Sequence, residues 1–390
     1  MLTLPVATTP LPPFGTVWAR WFGTISSLDQ HEWDSLVEDR NFYNSYRWLR
    51  SLEYLSHPRS VLGIFGPGGL LAGCPLWEGQ PHDPLFDPST WFRDLPGPWQ
   101  ERFLWVGAYR STHNELVYGH GSRRHEALAL LLHELQCKAS HNGMTGVLLP
   151  YMPLKKALQV SSHHPDAQVL LHDAESFQPI TEGGLEANIS SWKKHYRTRT
   201  RAEMEAFHHH GNQIDWSPIT QDIESDLIDL VSMNRAKHGS EQGKSWMQKV
   251  FSSQRKSKVL DHAIAALSRK QGKINAATIF YRFGKSLHAR YFGSDYGEHE
   301  NEYRYFVLSY YAPLAWASQH GIRTSHLSIS ALEAKAKRGG HIEPLATVSI
   351  LSKGRLSDSL VERHNLTITA NHQKKFRKHL SNDWFTPDII

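Results

Sequence analysis

The most cation-dense stretch of the chain is Ser190-Ser191-Trp192-Lys193-Lys194-His195-Tyr196-Arg197-Thr198-Arg199-Thr200-Arg201. On a helix, Lys193, Arg197 and Arg201 recur every four residues and form one stripe, with Lys194 beside it. Like charges at that spacing repel by roughly 0.2–0.5 kcal/mol per pair, so helix stability gives no reason for them. A phosphate-bearing partner converts the repulsion into binding, and a plain solvated face is the simpler alternative. Trp192 and Tyr196 supply the core side of the helix in either case.

Ser330-Ala331-Leu332-Glu333-Ala334-Lys335-Ala336-Lys337-Arg338-Gly339-Gly340 is the second cluster. It follows an apolar strand and ends in two glycines, so the chain turns sharply after three cations. A lysine fixed there can hold a phosphate or stabilise an oxyanion; an ordinary exposed basic turn is the alternative. Tyr118-Gly119-His120-Gly121-Ser122-Arg123-Arg124 precedes a helix, where free amides can cradle an anion, yet it lacks the Arg or Gln of an acetyl-CoA signature. Asp295, Glu298 and His299 follow a hairpin and could take a proton from a nucleophile, unless they are only a polar loop.

The 25 His suggest a metal, but the spacing argues against one. His163-His164 and His208-His209-His210 are contiguous, so their side chains diverge, and neither H-E-x-x-H nor C-x-x-C occurs. No G-x-S-x-G elbow, Walker loop or complete dinucleotide fingerprint is present. The expectation is a protein with no bound metal and no resident cofactor.

With 390 residues there is room for two domains. Lys and Arg number 43 against 38 Asp and Glu, an excess that matters only where it is clustered. No run of about 18 apolar residues suggests a membrane span, and Met1-Leu2-Thr3-Leu4-Pro5 lacks a positive n-region. Cys74 and Cys137 lie in apolar stretches and read as two buried thiols rather than a bridge. Together these point to a cytoplasmic protein.

The pattern places a lead at 1–14, an N-terminal domain at 15–180, a hinge at Thr181-Glu182-Gly183-Gly184, a second domain at 185–355 and a basic tail at 356–390 that wraps the surface or frays. In the first half, strands are expected near 16–22, 61–65, 70–76, 103–107, 145–151 and 166–179, with helices from Ser27, over 44–55 and over 123–139. Residues 80–100 read as a long loop. The second half predicts helices at 189–207, 219–239, 262–270 and 303–320, a hairpin of 273–281 with 286–292, and a strand at 324–329. Helix, helix, hairpin, helix and strand follow in the order of the first half, suggesting a structural duplication.

Several segments, in order, resemble the Fem-like branch of the GNAT acyltransferase superfamily. They are Leu185–Phe207, Ala276–Phe292 ending Ala-Arg-Tyr-Phe-Gly, Tyr303–Gly321 with Tyr305 and Tyr310 in Tyr-Arg-Tyr-Phe-Val-Leu-Ser-Tyr-Tyr, and Leu332–Pro344; Phe42–Leu52 and Phe103–Gly107 add to them. The resemblance covers roughly residues 30–350. It implies an α/β protein of two GNAT-like domains, each a mixed, mostly antiparallel sheet flanked by helices. In that branch a Lys-x-x-x-Gly turn assists at the reacting carbonyl, and Lys335 with Gly339 matches it. The aromatic residue usual before that lysine is Ala334 here, and no coiled-coil arm interrupts 205–265, which speaks against typical cell-wall bridge formation.

The implied activity is transfer of an aminoacyl group from charged tRNA to the amine, hydroxylamine or hydroxyl of a small acceptor, in the biosynthesis of a specialised metabolite. The implied catalytic residues are Lys335, Asp295 and His299. The tRNA and substrate contacts would be Lys193, Lys194, Arg197, Arg201, Lys337, Arg338, Gly339, Tyr305 and Tyr310. Two alternatives stay open: an acyl-CoA-dependent N-acyltransferase using Gly119–Arg123 for the pyrophosphate, and a non-catalytic RNA-binding module.

Overall fold

The structure, a computed structural model, describes residues 16–55, 60–78, 84–296 and 302–386. His299 and Glu298 lie outside the described residues. The strands are β1 (Trp18–Phe22), β2 (Ser60–Gly66), β3 (Gly69–Glu78), β4 (Phe103–Val106), β5 (Val117–Tyr118), β6 (Gly146–Pro153), β7 (Ala167–Pro179), β8 (Gln213–Pro218), β9 (Ala263–Lys270), β10 (Lys273–Phe283), β11 (Ser286–Ser294), β12 (Thr324–Ser328) and β13 (His341–Leu351).

They form one sheet in the order β1-β2-β3-β4-β6-β13-β7-β12-β11-β10-β9-β8, with β5 on β3. All neighbours are antiparallel except two pairs, β4 with β6 and β11 with β12. Each half therefore contains one parallel pair, as a duplication requires. The halves interlock: β13, late in the chain, inserts between β6 and β7, and β7 continues into β12.

Helices cover both faces for reasons visible in their sequence. Arg124–His141 buries Ala127, Leu128, Leu131, Leu132, Leu135 and Ala139, the three-and-four spacing of one helical face. Gln221–Lys237 packs on β11, and Lys244–Lys256 packs against Tyr46–Tyr54 of the first half. The aromatic residues beside that first-half helix enter the second half's core, with Phe42 stacked on Tyr281 at 5.1 Å.

Several expectations are corrected. Residues 263–270 are a strand, not a helix, because both edges are taken by β8 and β10. The basic helix is two helices, Gly184–Ser190 and Lys194–His209, broken at Trp192, which packs over Gly339. Within 80–100, Pro88–Trp91 is a short helix capped by Asp87. The segment read as a frayed or wrapping tail carries the helix Asp358–Phe376, and Phe376 and Trp384 are buried. Cys74 is buried, whereas Cys137 faces outward on its helix beside His133.

Candidate active site

A parallel pair can be hydrogen-bonded only while its strands stay together. β11 and β12 are paired only from Ser286 with Thr324 to His288 with His326, and beyond that they part. The opening is a cavity of about 900 Å³, walled by β11, by Leu327 and Ser328 at the end of β12, and by the helical segment 304–311. In the first half the equivalent gap beyond β4 and β6 is filled by Asn114, whose amide donates to Val106 O at 2.8 Å and Pro150 O at 3.2 Å. The two halves thus share an architecture and differ in whether its opening is plugged.

Three of the eight described non-glycine residues with positive φ line this cavity. Tyr303, Ser328 and Ala331 all have left-handed φ, at 53°, 68° and 52°, and all three line it. For residues with a Cβ that conformation costs about 1–2 kcal/mol each. The helix beside it widens into a π-turn at Val307–Tyr311, a geometry often found at functional sites. It brings Ser309 and Tyr310 to the wall; Ser309 bonds Thr278 at 2.9 Å, and Tyr310 donates to Tyr305 at 2.7 Å.

Lys335 lies on the short helix Leu332–Ala336 and is 2% exposed, yet it lines the cavity. Its Nζ donates to Ser328 O at 2.9 Å, so the strained residue supplies its one carbonyl ligand. Burial lowers its pKa to about 7, although Glu175 and Asp173 pull the other way. The helix ends at Gly339 with φ 82°, where a Cβ would overlap the Trp192 ring; Gly340 N–H returns to Lys335 O at 2.9 Å. Both glycines are therefore needed to turn the chain back into β13.

The other predicted residues separate. Tyr305 and Tyr310 join Lys335 in the cavity wall. Asp295 is at its rim but forms an ion pair with Arg304. Arg338 is buried, grips Glu203 at 2.6 and 3.1 Å and lies 3.4 Å over Phe306, tying Lys194–His209 to the lysine helix. Arg197 donates to Trp192 O at 2.6 Å across the helix break, and Arg201 pairs with Glu186 at 2.8 Å. Lys193, Lys194 and Lys337 are exposed. Lys337, Arg199 and Lys375 line an open groove of about 870 Å³ on the opposite side of the lysine helix, and Ala331 borders both spaces. Gly119–Arg123 lines neither.

A buried charge network, absent from the sequence reading, crosses the junction of the halves. Arg40 binds Glu175 at 3.0 Å and also Glu343, while His113 Nδ1 meets Glu175 at 2.9 Å and its Nε2 meets Glu115 at 3.0 Å. Burial opposes a charge on His113, but the two glutamates outweigh it and raise its pKa to about 9. Its neighbours His326 and His288 stack at 4.7 Å and are held neutral by burial.

These shifts act oppositely on stability. His113, raised, stabilises fully below pH 6.5 and loses that contribution as pH climbs through about 9. Lys335, lowered, penalises folding below about pH 7 and relaxes at higher pH. A Lys335→Met variant should therefore expose the histidine: its melting temperature should fall between pH 6.5 and 9, by the equivalent of about 3 kcal/mol. Adding His113→Gln should flatten that slope, and a slope that survives would contradict the assignment.

Comparison with known proteins fits this geometry. FemX superposes with TM-score 0.59 at 10% identity, covering 83% of this chain and 96% of that one. A conserved protein of unknown function from Bacteroides thetaiotaomicron gives 0.55 at 13% identity, covering 84% and 97%. L-PGS from Bacillus licheniformis gives 0.50 at 12% identity, covering 87% and 95%. At these identities the likeness establishes the fold. No curated protein sequence matches. Residues 112–381 match the FemAB-like family, described as peptidoglycan biosynthesis and recognition, and this span carries both the open cavity and Lys335, so the chain belongs to the FemAB-like family.

Proposed function

We propose that the protein is an acyltransferase that moves an aminoacyl group from charged tRNA to the amine of a small acceptor, with the reacting carbonyl beside Lys335. The observation carrying this reading is a desolvated lysine, with no contacting carboxylate among the described residues, in the wall of an open cavity. An ester or thioester donor is already activated, so positioning and oxyanion stabilisation supply most of what the reaction needs. The Lys335 ammonium gains most when negative charge appears on the carbonyl oxygen. Its interaction is thus stronger in the transition state than with bound substrate.

The amine nitrogen attacks the acyl carbon and the ester oxygen leaves as the ribose hydroxyl. The nitrogen's proton passes to solvent or to the leaving oxygen. Two observations favour the tRNA ester over a CoA thioester. Asp295 directly follows β11 and Glu302 precedes the helical segment 304–311, a poor setting for a pyrophosphate at that helix start. The groove adjoining the cavity presents Arg199, Lys337 and Lys375, with Lys193 and Lys194 exposed on the neighbouring helix end. The family description raises peptidoglycan precursors as acceptors. The helices spanning 205–265 pack into the body of the protein and form no projecting arm.

Pools of charged tRNAs and of acyl-CoAs, incubated separately with the protein and candidate amines, test the reading. Loss of aminoacyl-tRNA that ribonuclease abolishes and added salt weakens is the expected outcome. Consumption of an acyl-CoA with charged tRNA untouched would replace the donor.

A further inference from the structure

The structure assigns an anion-recognition subsite to the β11 wall of the cavity, where Arg290, with Arg235 behind it, takes a carboxylate or phosphate of the acceptor. Only the statement that the anion belongs to the acceptor rests on the acyl-transfer reading.

Arg290 is presented by a bulge. Along the β10–β11 ladder Tyr291 faces Ile279 and Ala289 faces Phe280, so Arg290 is an extra residue without a partner. A bulge bends the strand and redirects a side chain, and it recurs beside active sites. Here the guanidinium lies 5.2 Å from the Tyr43 ring, 5.6 Å from Trp48 and 5.7 Å from Tyr291, and the residue lines the cavity that also holds Lys335.

Its charge has no counterion. Arg40, Arg304 and Arg338, by contrast, each contact a carboxylate. No ion pair among the described residues includes Arg290 or Arg235, and the groups that support the Arg290 charge against burial are phenols of Tyr43 and Tyr291. Arg235 spends two bonds on neutral atoms, Ser240 Oγ at 2.9 Å and Gln242 Oε1 at 2.8 Å, and its buried Nε has no partner. Arg110 and Arg290 both act against its charge. Arg235 and Arg290, near one another and with no carboxylate contact among the described residues, are costly. Arg290 lines the cavity beside Tyr291, and a planar guanidinium has the two parallel donors that a carboxylate or phosphate accepts. An acceptor held there by its anion would present its nucleophile to the carbonyl at Lys335.

Isothermal titration of the full chain with inorganic phosphate, pyrophosphate and N-acetylglycine tests the site without any acyl donor. At least one should bind at one per chain; phosphate or pyrophosphate would indicate a phosphorylated ligand and N-acetylglycine an amino acid or peptide. Arg290→Gln should weaken that anion by about tenfold or more, and Arg290→Lys should keep part of the affinity. Arg235→Gln should weaken the same anion, which carries the test should the Arg290 variant not fold. Absence of binding by all three probes, or equal binding by wild type and the folded arginine variants, would overturn the assignment. Because transfer is not measured, neither result depends on the donor.

Discussion

Lys335→Met is expected to lower kcat/KM for acyl transfer by about 100- to 1000-fold or more, the range found when one oxyanion donor is removed, while the protein stays folded. The same substitution should raise the melting temperature below pH 7. A buried ammonium whose only hydrogen-bond partner among the described residues is Ser328 O is a cost to the folded state, and a methionine of similar length relieves it. Activity lost while stability rises is the signature of a group kept for chemistry. A merely structural lysine would show the reverse, a less stable protein whose surviving folded fraction still turns over.

The second large effect is predicted at the junction of the halves. Arg40→Met should destabilise the protein by about 3 kcal/mol, at the lower end of the 3–5 kcal/mol typical of a broken buried pair, read from the urea midpoint. Glu175 and Glu343 are almost fully buried, with side chains 1% and 7% exposed. Removing Arg40 leaves Glu343 without its cation, while His113 continues to neutralise Glu175, which is why the loss is not larger. Arg40→Met combined with Glu343→Gln should recover much of the difference, since the uncompensated charge is then gone. A loss under about 1 kcal/mol would mean that Arg40, itself a third exposed, is only a surface pair.

How much of this was legible in the sequence depends on where each residue's partners are. The β2–β3 and β10–β11 hairpins are local, and their turn residues announce them. Arg124–His141 carries its core face as a leucine spacing, and Lys335 is marked by the glycines that end its helix. Residues 263–270 misled because Ala-Ile-Ala-Ala-Leu is good helix-forming sequence, and sheet pairing on both sides overrode that preference. β13 was invisible for a related reason, since its neighbours β6 and β7 lie nearly two hundred residues earlier.

The site divides in the same way. Arg338 and Lys337 look alike in sequence, but a glutamate 135 residues away claims Arg338 for the interior, while Lys337 stays in solvent. Arg290 sat within the Ala-Arg-Tyr-Phe-Gly segment that signalled the family, yet its exposure to the cavity depends on a bulge, which no residue pattern announces. The Arg40–Glu175–His113 network joins residues from three distant segments and left no sequence trace. Tyr305 and Tyr310 were named through a segment that resembles the family, and a π-turn in that same local helix brings both to the cavity wall.

The central claim, that the Lys335 ammonium stabilises the oxyanion of acyl transfer, is tested most directly by the pH dependence of single-turnover transfer from aminoacyl-tRNA. Hydroxylamine serves as acceptor because its amine stays uncharged at neutral and alkaline pH. Wild-type kcat/KM should fall as pH rises through about 7, where the free enzyme loses this proton. Lys335→Arg, which keeps the cation, should retain part of the rate without the fall, and Lys335→Met should be slow at every pH. A wild-type rate that instead climbs through pH 7, with Lys335→Arg as slow as Lys335→Met, would contradict the account and make the neutral amine a base.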